Sequence, residues 1–218
     1  MGLDEADDLL RFFNANDKIT IIDAGANVGQ SVQKYKEIFP NAVIHSFEPV
    51  RKVYEQLEKN TRHYDGVSVY NMALGSQEGK ITFYEYDDHV NSSALPMGSA
   101  LSQHNVYHET QVECSTLDIQ AAKNNINHIN ILKLDTQGFD LEVLKGASKL
   151  IKENKIDVVM IEHIVAELYK NSPKYSEQVK FFEDHNFQLV VSYRLNWDKG
   201  VVTWFDSVYK REGLKSRA

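Results

Sequence analysis

The sequence holds a single cysteine in 218 residues. Cys114 therefore has no partner for an internal disulfide, which fits a reducing compartment, and no CxxC pair exists to hold zinc. It reads as a small buried hydrophobe. Basic charge is also short. Lys and Arg number 24 against 31 Asp and Glu, for a net charge of −7. A protein that tracks phosphates carries a basic surface, and here only the tail "KREGLKSR" is basic, so nucleic acid is not an expected partner. No apolar run approaches the ~20 residues of a membrane helix, and no membrane association is expected. The start, "MGLDEADDLLRFF", has acids where a secretory signal has bases. These shortages together point to the cytoplasm. Repeats, low-complexity segments and linkers are missing too, so residues 1–218 are expected to form one domain.

What is present is an alternation of apolar runs and amphipathic stretches. Leu9, Leu10, Phe12 and Phe13 among acids predict a helix within the N-terminal 1–18. "KITIIDA" is continuously apolar, as in a parallel strand buried on both faces. A helix over "VGQSVQKYKEIF", a strand "AVIHSFE", a helix "VRKVYEQLEKNTRH" and a strand "VSVYNMAL" follow. This βαβαβ order predicts an α/β, doubly wound sheet. "KITFYEY" and "QVECSTL" predict two further strands around a long irregular segment. Residues 87–110 of that segment are a candidate substrate lid, in which Asn91, Ser92 and Ser93 suit polyol hydroxyls and His89, Tyr107 and His108 offer aromatic faces or bases. Beyond it come a helix "LDIQAAKNN", a strand "INILKLD", a helix interrupted near Gly146, a strand "IDVVMIE", a short helix "IVAELYK", a helix "SEQVKFFEDH", and the strands "FQLVVSY" and "VVTWFDSVYK".

The stretch "IIDAGANVGQ" sets a carboxylate and two glycines where a buried strand ends. In doubly wound sheets ligands sit at the carboxyl ends of the strands. Glycine allows positive φ and close approach of a ligand, and the following helix points its N–H groups at the crevice. A dinucleotide fingerprint needs G-x-G-x-x-G, but Asn27 stands where the second glycine belongs. Asp23 would also repel a pyrophosphate. A cationic nucleoside without phosphate, S-adenosylmethionine, fits better. Glu48 ends the second strand about 20 residues past the glycine turn, where an acid accepts both ribose hydroxyls, and Pro49 stops that strand.

Across these motifs the sequence resembles the FkbM-type S-adenosylmethionine-dependent methyltransferases. The resemblance runs through "IIDAGANVGQ", "FEPV", "NMALGSQEGKITFYEY", "STLD", "LKLDTQGFDLEVLKGA" and "VVMIEH", over roughly residues 19 to 163. It implies a Rossmann-like class I methyltransferase fold: a mostly parallel seven-stranded sheet, helices on both faces, and an inserted strand pair with a long loop. It also implies O-methylation of a small hydroxylated acceptor such as a sugar. By the same resemblance Asp23, Gly25, Ala26, Asn27 and Gly29 form the methionine-end loop. Glu48 and Pro49 meet the ribose, Asn71, Met72 and Ala73 neighbour the adenine, and Asp135 meets donor and acceptor. The family usually has Glu where this chain has Gln137. The alternatives are an NAD-dependent oxidoreductase and a donor-binding module without turnover.

A hydroxyl acceptor loses a proton as it is methylated, so a general base is needed. Candidates at the strand ends are Asp135, Glu162 and His163. His163 has the ordinary pKa nearest neutrality and is taken as the base, with Asp135 as orienting acid. Lys133 shares the Asp135 side of its strand and is expected to pair with it. No metal is expected: Gln137 removes a charge, and His104 with His108 lacks the further ligands zinc needs.

Overall fold

The computed structural model describes residues 5–86, 91–98 and 107–217. In chain order the elements are α1 (Glu5–Leu10), β1 (Thr20–Ala24), α2 (Gln30–Ile38), β2 (Val43–Phe47), α3 (Arg51–Thr61), β3 (Val67–Tyr70), β4 (Ala73–Leu74), β5 (Gly79–Tyr86) and β6 (Tyr107–Ser115). They continue with α4 (Leu117–Lys123), β7 (Ile129–Leu134), α5 (Asp140–Lys145), α6 (Ser148–Lys152), β8 (Ile156–Ile164), α7 (Tyr175–Asp184), β9 (Phe187–Asp198) and β10 (Val201–Arg211).

Seven strands form one sheet in the order β3-β2-β1-β7-β8-β10-β9. The pairings from β3 to β8 are parallel, and β10 runs antiparallel between β8 and β9. Strand alternation sends neighbouring residues to opposite faces. Ile21, Ile131 and Val158 are in register and pack with Leu9, Val32, Tyr35 and Phe39 on one face. Ile22, Leu132 and Val159 are their neighbours and pack with Leu117, Leu144 and Phe182 on the other. The apolar runs are continuous because both faces are covered. This is the Rossmann-like class I methyltransferase fold.

The inserted pair is present as β5 and β6, antiparallel, with β4 on the other edge of β6. This small sheet packs through Phe83, Val112 and Cys114 on Val50 and Val53. Cys114 is buried.

Some expected elements differ. The third strand splits, since Asn71 turns the chain and bonds the Glu48 and Pro49 carbonyls, so that β4 leaves the large sheet. The N-terminal helix is a six-residue turn of helix, although Phe12 and Phe13 still bury themselves beyond it. No helix forms over 164–170; Ile164 still belongs to β8. There Val165 and Ala166 donate to the Thr203 carbonyl, while Leu168 accepts from Gly98 and Lys170 donates to Pro96. These tertiary partners replace the i→i−4 bonds a helix would use. In the expected lid, 91–98 is clamped between β5 and that segment, through bridges Tyr84↔Ser93 and Met97↔Tyr169. Its residues 87–90 and 99–106, with His89 and His104, lie outside the described residues. Among the described residues no helix is long and apolar enough to cross a membrane.

Candidate functional site

A cavity of about 390 Å³ opens at the carboxyl ends of β1, β2, β7 and β8. Its floor begins at the end of β1. Gly25 adopts φ +81, and a Cβ there would stand 1.9 Å from the Asp135 carbonyl oxygen, so only glycine lets β1 and β7 end side by side. Ala26 and Asn27 follow in the cavity wall, with Asn27 left-handed at φ 48. Gly29, at φ 99, then starts α2, whose residues Gln30, Ser31 and Lys34 form the adjoining wall.

Glu48 leaves β2 and turns back into the cavity. Its Oε2 accepts from the Asn27 N–H at 3.0 Å and its Oε1 from the Val50 N–H at 2.9 Å. Burial pushes its carboxyl up to about 7, against the pull of those two donors. Each oxygen keeps a lone pair for a ligand. The Asn27 side-chain oxygen is buried with no hydrogen-bond partner. The Glu48 carboxyl at the crevice suits a ligand rich in O–H and N–H donors and opposes a phosphate.

The far wall carries the charge. Lys133 Nζ lies 3.1 Å from Asp23 Oδ1 and 3.4 Å from Asp135 Oδ2. Burial alone would lower this lysine, but the two carboxylates outweigh it and hold the ammonium above its ordinary value. Asp23 is fully buried; burial raises its carboxyl and Lys133 opposes the rise. The Asp135 side chain is 42% exposed and opens on the cavity. Gln137 Nε2 lies 3.0 Å from both Asp135 Oδ1 and Glu162 Oε2. Glu162 also lines the cavity. Burial, then the nearby Asp135, Asp140 and Asp206, push it up to about 9, so it holds a proton at neutral pH.

Of the residues singled out in the sequence, Gly25, Ala26, Asn27, Glu48, Pro49, Ala73, Asp135 and Glu162 line the cavity. Asp23, Gly29, Asn71 and Met72 sit behind it: Asp23 against Lys133, Gly29 against Thr61 and Leu57, Asn71 under the Glu48–Pro49 turn, and Met72 in the core. His163 requires a correction. It does not emerge at the mouth of β8 but is fully buried on the other face. Its Nδ1 bonds Gln178 Oε1 at 2.5 Å and its Nε2 bonds Tyr209 OH at 3.0 Å, inside a shell of Tyr175, Phe182 and Phe205. Burial pulls it down to about 4. Both ring nitrogens are occupied, so no proton can be taken from a ligand in the cavity.

Several cavity residues escaped the sequence reading. Gln30, Ser31 and Lys34 were legible as one helical face. Arg194 was not: it reaches the cavity from a bulge in β9, with φ 51 and an ion pair to Asp206 at 3.4 Å. Tyr169 was hidden in the expected helix. It is fully buried and donates to Gln137 Oε1 at 2.7 Å. Among the described residues no group of three or more His, Cys, Asp or Glu is arranged to hold a metal ion.

Comparison with known proteins agrees with this geometry. A family model described as "Methyltransferase FkbM domain" matches residues 23–189. "Methyltransferase 1" of Beauveria bassiana is 25% identical over 193 residues, covering 81% of this chain and 75% of its own. "2-O-methyltransferase NoeI" of Sinorhizobium fredii is 21% identical over 160 residues, covering 69% of this chain; the chain spans 65% of that relative. Among solved structures, magnesium protoporphyrin IX methyltransferase (ChlM) from Synechocystis PCC 6803 with bound SAM superposes with a TM-score of 0.55 at 10% identity, over 95% of this chain and 76% of its own.

Proposed function

The chain belongs to the methyltransferase FkbM domain family and is an S-adenosylmethionine-dependent methyltransferase; from that premise we propose that it methylates a hydroxyl oxygen on a sugar or other small natural product. One observation carries this reading. Asp135, an open carboxylate paired to a buried lysine, stands on the cavity wall beside Glu162, away from the Glu48 side. The 2-O-methyltransferase among the relatives supports the same acceptor class.

The residues present fit the donor. Glu48 offers acceptors for the ribose hydroxyls, beside the Asn27 backbone in the cavity wall. Gly25, Ala26, Pro49 and Ala73 give smooth walls close to the backbone. Asn71 fixes the Glu48–Pro49 turn, Gly29 sets the start of α2, Met72 packs against the main core, and Asp23 anchors Lys133. When bound, S-adenosylmethionine supplies an activated methyl: a carbon–oxygen bond forms to the acceptor as the carbon–sulfur bond breaks, and its electron pair stays on sulfur.

The chain's own task is alignment and proton removal. Asp135 takes the hydroxyl proton, since its carboxylate opens on the cavity while Lys133 holds it in place. Glu162, holding its own proton, donates a hydrogen bond that orients the acceptor. Lys133 keeps Asp23 as a second partner while Asp135 carries the proton.

Purified protein incubated with labelled donor and a panel of sugars, phenols and polyketide alcohols tests the reading. Methyl ether formation on at least one alcohol is expected. Donor-product binding by calorimetry with no transfer to any acceptor would favour a binding module, and binding of NAD in its place would favour an oxidoreductase.

A further inference from the structure

We propose that Gln137 is a positioning residue whose amide ties Asp135 and Glu162 into one fixed pair, with Asp135 presented to the acceptor hydroxyl. This rests on the hydroxyl-methylation reading above.

A primary amide has one acceptor oxygen and two N–H donors. At Gln137 all three are assigned. Tyr169 OH donates to Oε1 at 2.7 Å, and that bond fixes which end of the amide faces the cavity. The two N–H bonds are then directed one each to Asp135 Oδ1 and Glu162 Oε2, both at 3.0 Å. The wholly buried Tyr169 hydroxyl also lies 3.0 Å from the Asn91 carbonyl, so its one hydrogen is shared between that oxygen and the nearer Gln137 Oε1. Burial pushes its phenol up, and nearby carboxylates push it further, so it stays a donor.

The backbone is committed to the same arrangement. Gln137 sits at φ 55, a left-handed conformation that strains a non-glycine residue. Its carbonyl is held by Ser93 Oγ at 2.7 Å, and Gly138 at φ 90 follows. The clamped piece of the insertion therefore bears on the acid pair twice, through Ser93 and through Asn91. A side chain needed only to fill space would not require a strained backbone, a fixed amide and both carboxyls.

The charged and titratable groups around the pair are Lys133 on β7, Asp140 on α5, Asp206 on β10 with its partner Arg194 on β9, and Tyr169. Lys133 reaches Asp135, so the two acids differ in partner. A neutral amide between them donates to both and cannot accept a proton from either. The acceptor's O–H proton consequently goes to Asp135, and Glu162 keeps the one it has.

The test combines carboxyl titration by carbon NMR, free of donor, with steady-state kinetics on the intact chain. The variants are Gln137→Ala, Gln137→Glu and Tyr169→Phe. Loss of the N–H donors in Gln137→Ala should raise the Asp135 midpoint by about one pH unit, and an added carboxylate in Gln137→Glu should raise it at least as far. Tyr169→Phe should move it less. With an acceptor in hand, Gln137→Ala should lower kcat about 100-fold, leave donor-product affinity within about threefold, and shift the acid limb of the kcat–pH profile upward. Unchanged carboxyl midpoints in both folded Gln137 variants would overturn the proposal. Shifted midpoints in a protein that methylates no alcohol would instead overturn the hydroxyl reading and leave the pairing intact. Gln137→Glu keeps the volume, so a folding loss in Gln137→Ala does not block the measurement.

Discussion

Gly25 and Asp135 meet backbone to backbone where β1 and β7 end, so close that a Cβ on the glycine would lie 1.9 Å from the Asp135 carbonyl oxygen. The proposed donor loop and the proposed base are therefore one mechanical unit. Gly25→Ala should lower stability by more than about 2 kcal/mol, from the positive φ and the clash together, and should abolish donor-product binding in whatever protein folds. Thermal melts and calorimetry check this. A variant that melts and binds like the wild type would refute the close approach.

Glu48 holds two backbone N–H groups and still faces the cavity. Glu48→Gln keeps its volume but loses the charge and one acceptor. Donor-product affinity should fall about 10- to 100-fold, about 1.4–2.8 kcal/mol, with little change in acceptor KM. An unaltered dissociation constant would remove Glu48 from the donor site.

Asp135→Asn should cut kcat by about 100- to 10,000-fold, the usual range for a lost general base. Its donor-product affinity should stay near that of the wild type. A variant retaining most of its kcat would transfer the base role elsewhere.

Glu162, raised to about 9 in the folded state, gives a signed pH prediction. The folded protein holds this proton more tightly than the unfolded chain, whose carboxyl titrates near 4.5. The contribution to stability is fully present below about 4.5 and is lost as pH rises towards 9. Glu162→Gln removes that loss. Its melting temperature should fall less than that of the wild type between pH 6 and 9.5. Parallel curves would show that Glu162 is ionised in the fold.

His163 predicts the reverse slope. It is held neutral, pulled down to about 4, between Gln178 and Tyr209. The amide oxygen can only accept, so Nδ1 carries the hydrogen and Nε2 accepts from the tyrosine. Stability from this residue is present above about 6.5 and is lost as pH falls towards 4. His163→Phe should cost about 2–4 kcal/mol at neutral pH by leaving two polar groups unpaired, flatten the acid side of the stability curve, and leave the kcat–pH profile in place. A change in that profile would return His163 to catalysis.

Most of the large sheet was legible because its strands are apolar on both faces, a pattern that survives in a single sequence. β1, β2 and β7 fall within the expected runs, β8 runs two residues past its own to Ile164, and the break at Gly146 separates α5 from α6. The stretch 164–170 has the apolar spacing of a helix but meets partners, Thr203, Pro96 and Gly98, that are distant in the chain. The split at Asn71 has the same cause: a side chain satisfies two carbonyls across the β2 turn.

The amino-acid order by itself determined the alternation of elements, the glycine turn after Asp23 and the acid after β2, since these follow from local periodicity and from what glycine alone permits. Only the tertiary structure decided which of the adjacent Glu162 and His163 faces the cavity. Neighbours on a strand point to opposite sides, and the choice depends on register: Lys133 lies opposite Asp23 and Met160, so Glu162, two residues past Met160, shares their face and His163 cannot. The lysine between two acids, the tyrosine behind Gln137 and the arginine from the β9 bulge arise likewise from contacts between segments far apart in the chain, which local pattern does not encode.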